Sequence, residues 1–194
     1  MSAPLLKPAL VAALFAIGCS TAVPAQTTAT ATATAPTASK ADANTPMARA
    51  DRKFVEKLAD DGMAEVELGK LAQQRASSDS VKQFGARMVE DHGRANDELK
   101  TIATSKGMTM PATMSKDHQK DLDKLGKLSG ADFDHEYVKH MVAGHEKAVS
   151  ALQREAKSGK DTELKSFASR TLPTVQDHLH AAQSLDESLK SSKS

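Results

Sequence analysis

The sequence predicts an all-α fold, four long amphipathic helices around one core. Three observations carry this. Apolar residues recur at three- and four-residue spacings through four stretches between Asp51 and Lys190. Ala, Leu, Lys, Glu and Asp dominate the second half of the chain, which favours helix, while aromatics are scarce: five Phe, one Tyr and no Trp. Finally, Met88 to Leu99 and Met141 to Leu152 both read M-V-x-x-H-x-x-A-x-x-x-L. Spacings of four, three and four place Met, His, Ala and Leu on one helical face. Each segment is therefore an amphipathic helix with a histidine in the middle of its apolar stripe.

A chain of 194 residues accommodates one folded domain with a leader or tail. The formal net charge is +1 and the two signs alternate without long blocks, which argues against a nucleic-acid binder. The single cysteine, Cys19, excludes an intramolecular disulfide and a cysteine-based metal site in the domain.

Residues 1–25 read as an export signal. Lys7 supplies the charge, and Ala9 to Ile17 is an apolar run too short to span a bilayer. Two processing readings stand side by side. Val23-Pro24-Ala25 fits cleavage before Gln26, and Ala16-Ile17-Gly18-Cys19 is an imperfect lipobox that would lipidate Cys19. Both place the mature chain outside the cytoplasm, in the periplasm or cell envelope, and lipidation would be its one tie to a membrane. Residues 26–48 are rich in Thr, Ala and Ser and carry too little apolar bulk to offset ordering entropy, so they read as a flexible spacer.

The bundle domain spans residues 49–190. The first helix is expected over Asp51 to Ala76, with Phe54, Leu58, Leu68 and Ala72 on one face. Glu65 falls within roughly 20° of the centre of that face, whereas Glu67 points away. Gly62 and Gly69 flank Glu65 and suggest close approach of a neighbouring helix. The second helix, Asp79 to Ser105, carries Val81, Phe84, Met88, Ala95, Leu99 and Ile102 inward with His92 among them and Asp91 on the edge; Gly107 stops it. A long connection follows, with a short amphipathic helix over Ser115 to Leu128. It is long enough to return along the bundle, so the helices it joins are expected to lie parallel. The next long helix, Asp132 to Lys157, directs Tyr137, Met141, His145, Ala148 and Leu152 inward. The last, Asp161 to Lys190, directs Leu164, Phe167, Val175, His178 and Ala182 inward, and Pro173 should bend or interrupt it.

Each long helix thus presents one polar residue to the core: Glu65, His92, His145 and His178. Counted from the tight turns, they lie at matching depths, which is how bundles build metal sites. Met88 and Met141 add soft sulfur donors one turn away, and Asp91 is a further candidate ligand. Imidazole suits Zn, Cu, Fe and Ni, and thioether favours Cu(I). The simpler reading is a buried polar network that fixes helix register without a metal. His118, His135, His140 and His180 read as surface or helix-end residues. No catalytic triad order or phosphate-binding loop is visible.

Gly62 to Gly69, Met88 to His92, Tyr137 to Glu146, and Leu172-Pro173 with His178 resemble an exported bacterial family, domain of unknown function 4142. The resemblance covers Arg49 to Leu189 and implies a ferritin-like four-helix bundle and an envelope location, with no established activity. Met141 to Glu146 is also similar to part of an exported helical family associated with copper handling. Ferritin-like di-iron sites use Glu-x-x-His, but Val89, Val142 and Val175 stand three residues before the three histidines. The bridging carboxylates are missing, so copper or zinc is favoured over di-iron.

Three functional readings follow. The leading one is a non-enzymatic envelope bundle that binds a metal or small ligand in its core, in a stress-related role. The second is a structural or interaction protein whose polar core is architectural. The third is an oxidoreductase built on a mononuclear metal. The sequence favours a non-enzyme and names no partner and no oligomeric state.

Overall fold

The computed structural model describes residues 47–191. The expected leader, the lipidation site at Cys19 and nearly all of the spacer lie outside the described residues. Five helices make up the rest: α1 (Arg49–Arg75), α2 (Asp79–Ser105), α3 (Lys116–Leu125), α4 (Gly130–Ser158) and α5 (Thr162–Ser191). Among the described residues the nearest thing to a strand is one isolated parallel bridge, Ala76 to Gly130.

α1 and α2 form one antiparallel hairpin, and α4 and α5 form the other. The hairpins pack α1 against α4 and α2 against α5. The end of α1 meets the start of α4 through the Ala76 bridge, so these two run antiparallel. α2 and α4 therefore lie parallel, as the long connection requires. Gly107 (φ 70°) and Gly130 (φ 63°) open and close that connection, each in the left-handed region glycine tolerates. α3 lies against α1: Ser115 N donates to Asp60 Oδ1 at 2.6 Å, and His118 Nε2 stands 3.0 Å from Asp61 Oδ1. His118 is thus half-buried and engaged rather than a free surface residue.

Two buried aspartates lace the hairpins together. Asp134 of α4 is 1% exposed and accepts from Ser77 N, Ser77 Oγ and Ser78 N, the backbone that leads into α2. Asp51 of α1 is fully buried and accepts from Lys160 N and Asp161 N, the backbone that leads into α5. Each hairpin's second helix thus has its positive N-terminal end met by a carboxylate from the other hairpin. By its position Asp134 is an ordinary acid near the start of its own helix. Its partners lie instead across the bundle, because the Ser77-Ser78 turn has no side-chain cap of its own.

α1 and α2 come very close at Gly69 and Gly85. A Cβ on Gly69 would stand 2.6 Å from the Gly85 carbonyl oxygen, and one on Gly85 2.8 Å from that of Gly69. The expectation for Gly69 holds, and Gly85 is its unforeseen counterpart. α5 runs through Pro173 without interruption, contrary to one of the two expected outcomes. Pro173 and Ser169 are both exposed, so the Ser169 carbonyl that proline leaves free faces water.

The apolar core is divided into layers. One cluster contains Leu68, Phe84, Met88, Phe133, Tyr137, Met141 and Ala182. Two others, around Val55, Leu99 and Phe167 and around Ala148, Leu152 and Val175, fill the opposite half. Along every long helix, the inward polar residue falls between the two halves.

Candidate metal centre

The 3.6-residue period sets which side chains reach this middle layer. Glu65 lies three residues before Leu68, His92 and His145 lie four after Met88 and Met141, and His178 lies three after Val175. All four are buried: Glu65 and His92 are 8% exposed, His145 0% and His178 1%. Glu67 instead pairs with Lys70 near the surface. The structure therefore brings together the four residues that the sequence singled out.

The three imidazoles form a nearly equilateral triangle. Ring centroids are 5.5 Å apart for His92 and His145, 5.2 Å for His92 and His178, and 5.5 Å for His145 and His178. One side-chain nitrogen from each lies within 4.8 Å of the others. A tetrahedral ion bonded at about 2.0–2.1 Å sets its nitrogens roughly 3.3 Å apart. Holding one ion would require the three nitrogens to approach one another by up to roughly 1.5 Å.

Each ring is held by one nitrogen. His92 Nδ1 is 2.8 Å from Glu65 Oε2. His145 Nδ1 donates to the Met141 carbonyl at 2.9 Å and stands 3.7 Å from Glu65 Oε1. His178 Nε2 is 2.8 Å from Asp91 Oδ2. The second nitrogens, His92 Nε2, His145 Nε2 and His178 Nδ1, are buried without a hydrogen-bond partner in the protein. In the neutral tautomers these contacts select, those three atoms carry lone pairs. A carboxylate or carbonyl behind each ring is the arrangement that orients ligating histidines.

Asp91 thus meets His178 from behind. Arg87 Nε donates to Asp91 at 3.2 Å, and Arg94 also donates to it. The signal was present as R-x-x-x-D-x-x-R, Arg87 to Arg94, which sets both arginines beside Asp91 on one helix face. Met88 and Met141 are fully buried in the neighbouring apolar cluster, one turn from their histidines.

The electrostatics distinguish the groups. Burial opposes the charge on Glu65, but the attraction and hydrogen bond of His92, with His145 and His178 behind it, outweigh burial and hold the carboxyl down at about 2. Burial opposes a proton on His92 as well, and Glu65 overcomes it and raises His92. Burial lowers His145 despite Glu65. Burial also lowers His178, to about 4, against its bond to Asp91 and with the repulsion of the other two histidines. At neutral pH the Glu65 carboxyl is therefore ionised and His178 is neutral, with burial also biasing His145 toward the neutral imidazole and Glu65 favouring a proton on His92.

A family model described as a domain of unknown function, DUF4142, matches residues 35–185. The chain is a DUF4142 protein. No curated protein matches this DUF4142 chain. Its fold is shared with solved structures of low identity. A DUF305 fragment from Deinococcus radiodurans aligns with a TM-score of 0.65 and 12% identity, over 74% of this chain and 99% of that one. CopM in its Cu(II)-bound form aligns with a TM-score of 0.62 and 19% identity, over 71% and 96%. A DUF305 protein from Streptomyces coelicolor, inferred to be secreted, aligns with a TM-score of 0.63 and 14% identity, over 73% and 94%. Among the described residues of the DUF4142 chain, no helix is long and apolar enough to cross a membrane.

Proposed function

We propose that this DUF4142 protein is an exported, non-enzymatic bundle that binds one transition-metal ion, copper above zinc, through His92, His145 and His178. The observation that carries the reading is the convergence of three buried imidazoles, each with one nitrogen held and one unpartnered. Glu65 and Asp91 orient two of the rings and supply negative charge near a cation. Three nitrogen donors rank Cu(II) above Zn(II) in intrinsic affinity, and Met88 and Met141 stand close enough in sequence to favour Cu(I) as well. That a protein of this fold, CopM, is known in Cu(II)- and Cu(I)-bound forms supports the choice of metal. The export leader supports an envelope location.

The mature chain, loaded with one equivalent of Cu(II), should show nitrogen hyperfine structure in its electron paramagnetic resonance spectrum. His145→Leu should abolish that signal. Copper should also raise the unfolding temperature of wild type only, since a ligand of the folded state stabilises it by about 2.7 kcal/mol at 100-fold excess over Kd. The contact of His92 Nδ1 with Glu65 Oε2 at 2.8 Å favours an architectural network as the second reading. A wild type whose stability ignores copper and zinc, with no nitrogen-ligated signal, would establish it.

A further inference from the structure

The histidines are buried, so an ion bound there must have a way in. Two spaces in the bundle share lining residues, and the inner one borders His92. A surface groove of about 370 Å³ lies between the first turns of α1 and the last turns of α4, bordered by Asp51, Phe54, Leu58, Asp61, Arg154 and Glu155. An inner cavity of about 20 Å³ is bordered by Leu58, Asp61, Gly62, Glu65, His92 and Asn96. Leu58 and Asp61 belong to both linings. The inner space exceeds the roughly 10–15 Å³ that one water-sized sphere needs, so it suits a bare or singly hydrated ion and not a chelate.

We propose that Asp61 is the outer carboxylate on an access route that passes metal from the α1–α4 groove to Glu65 and His92, with Leu58 as its apolar gate. The inference rests on the metal-binding reading above. Asp61 and Glu65 are four residues apart on α1, so they stand one turn above the other on the same side. Asp61 is 20% exposed and reaches outward to Lys57 at 2.8 Å and His118 at 3.0 Å. Lys57 is 60% exposed, and such a pair holds weakly, so Asp61 is readily released to a dication. Between the two carboxylates, Gly62 makes room for the Asn96 side chain of α2, which packs against it beside the inner cavity. A Cβ there would stand 2.1 Å from Asn96 Oδ1, which leaves that amide oxygen as a polar lining.

A residue on the route changes how fast an ion enters and leaves without changing how tightly it is held. The test follows Cu(II) binding to the mature chain by stopped flow, and its release into excess chelator. Asp61→Asn should slow both rates about tenfold and leave Kd within about threefold. Leu58→Ala should speed both. Asp60→Asn, the adjacent carboxylate that also faces His118, should leave both unchanged. Wild-type rates in Asp61→Asn and Leu58→Ala, with copper still bound through nitrogen, would overturn the route and leave the metal site standing. A slower association alone in Asp61→Asn, with weaker affinity, would show a field effect and also overturn it. A wild type that binds no copper through nitrogen removes both the site and the route.

Discussion

Replacing Asp134 by alanine tests whether the two hairpins are tied by carboxylates rather than by apolar packing alone. The substitution deletes three hydrogen bonds accepted by one buried carboxylate, from Ser77 N, Ser77 Oγ and Ser78 N. The hydroxyl can turn to water, but the two backbone donors are left at the start of α2, which has no side-chain cap. Hydrogen bonds to a charged acceptor contribute about 1.5–3 kcal/mol each, so the expected loss from the two backbone donors is about 3–6 kcal/mol. That is a large part of a stability of about 5–15 kcal/mol, and at about 2–4 °C per kcal/mol it corresponds to a fall of about 10 °C in Tm. Urea unfolding followed by circular dichroism measures it. Asp132→Ala, an exposed acid in the same turn of α4, is the control and should change stability by less than about 0.5 kcal/mol. Asp51→Ala should cost a comparable amount, and the two losses should add because the residues sit at opposite ends of α1 and α4. A loss below about 1 kcal/mol for Asp134→Ala would refute the argument.

Glu67→Gln should be silent in unfolding experiments, within about 0.5 kcal/mol, whereas Glu65→Leu should destabilise the metal-free protein by removing the partner of His92; equal effects would contradict the assigned helix face. Glu155 is 6% exposed; burial, with Asp51 and Asp161 nearby, raises its carboxyl to about 7. Its folded value lies above the unfolded one, so its stabilising contribution is present below about pH 4.5 and lost as pH rises through about 7. Glu155→Gln should therefore gain about 3 kcal/mol relative to wild type at pH 8 and much less at pH 4.5, and a gain independent of pH would refute this. His178 has the opposite sign: its folded value is depressed, so the metal-free protein should lose stability as pH falls from about 6.5 toward 4, and His178→Asn should flatten that slope.

The sequence was most legible where one helix decides the answer. Periodicity separated Glu65 from Glu67, found the stripes of His92, His145 and His178, and set the long-helix ends within about two residues of those observed. Loop length alone gave the parallel α2 and α4. What was not legible depends on groups distant in the chain. Asp51 and Asp134 look like ordinary helix-start acids, and their partners are backbone amides that no residue type advertises. Gly85 has meaning only once Gly69 faces it. Asp91 was marked by its place beside the stripe, but its bond to His178 Nε2 depends on how α2 and α5 pack. The short helix stops at Leu125 rather than Leu128, because the bonds after Gly126 tighten to three-residue spacing, Lys127 N to the Lys124 carbonyl and Leu128 N to the Leu125 carbonyl.

Buried polar atoms without partners are not by themselves a site in this protein. Tyr137 Oη is one, sealed in the apolar cluster with its ring stacked on Phe133, and Glu155 Oε1 is another at the far end of α4. Each of these stands alone, and each costs about 1–3 kcal/mol by the same rule as the histidine nitrogens. The histidines differ in two respects. Their three unpartnered nitrogens come from three helices and lie in one layer of the core, where the proposed ion would sit. Their other nitrogens are held by Glu65, the Met141 carbonyl and Asp91, so the rings are oriented before anything binds. A network needed only for helix register is complete with Glu65 and His92. His145 and His178 add burial costs that register does not require, and the proposed metal site would account for them.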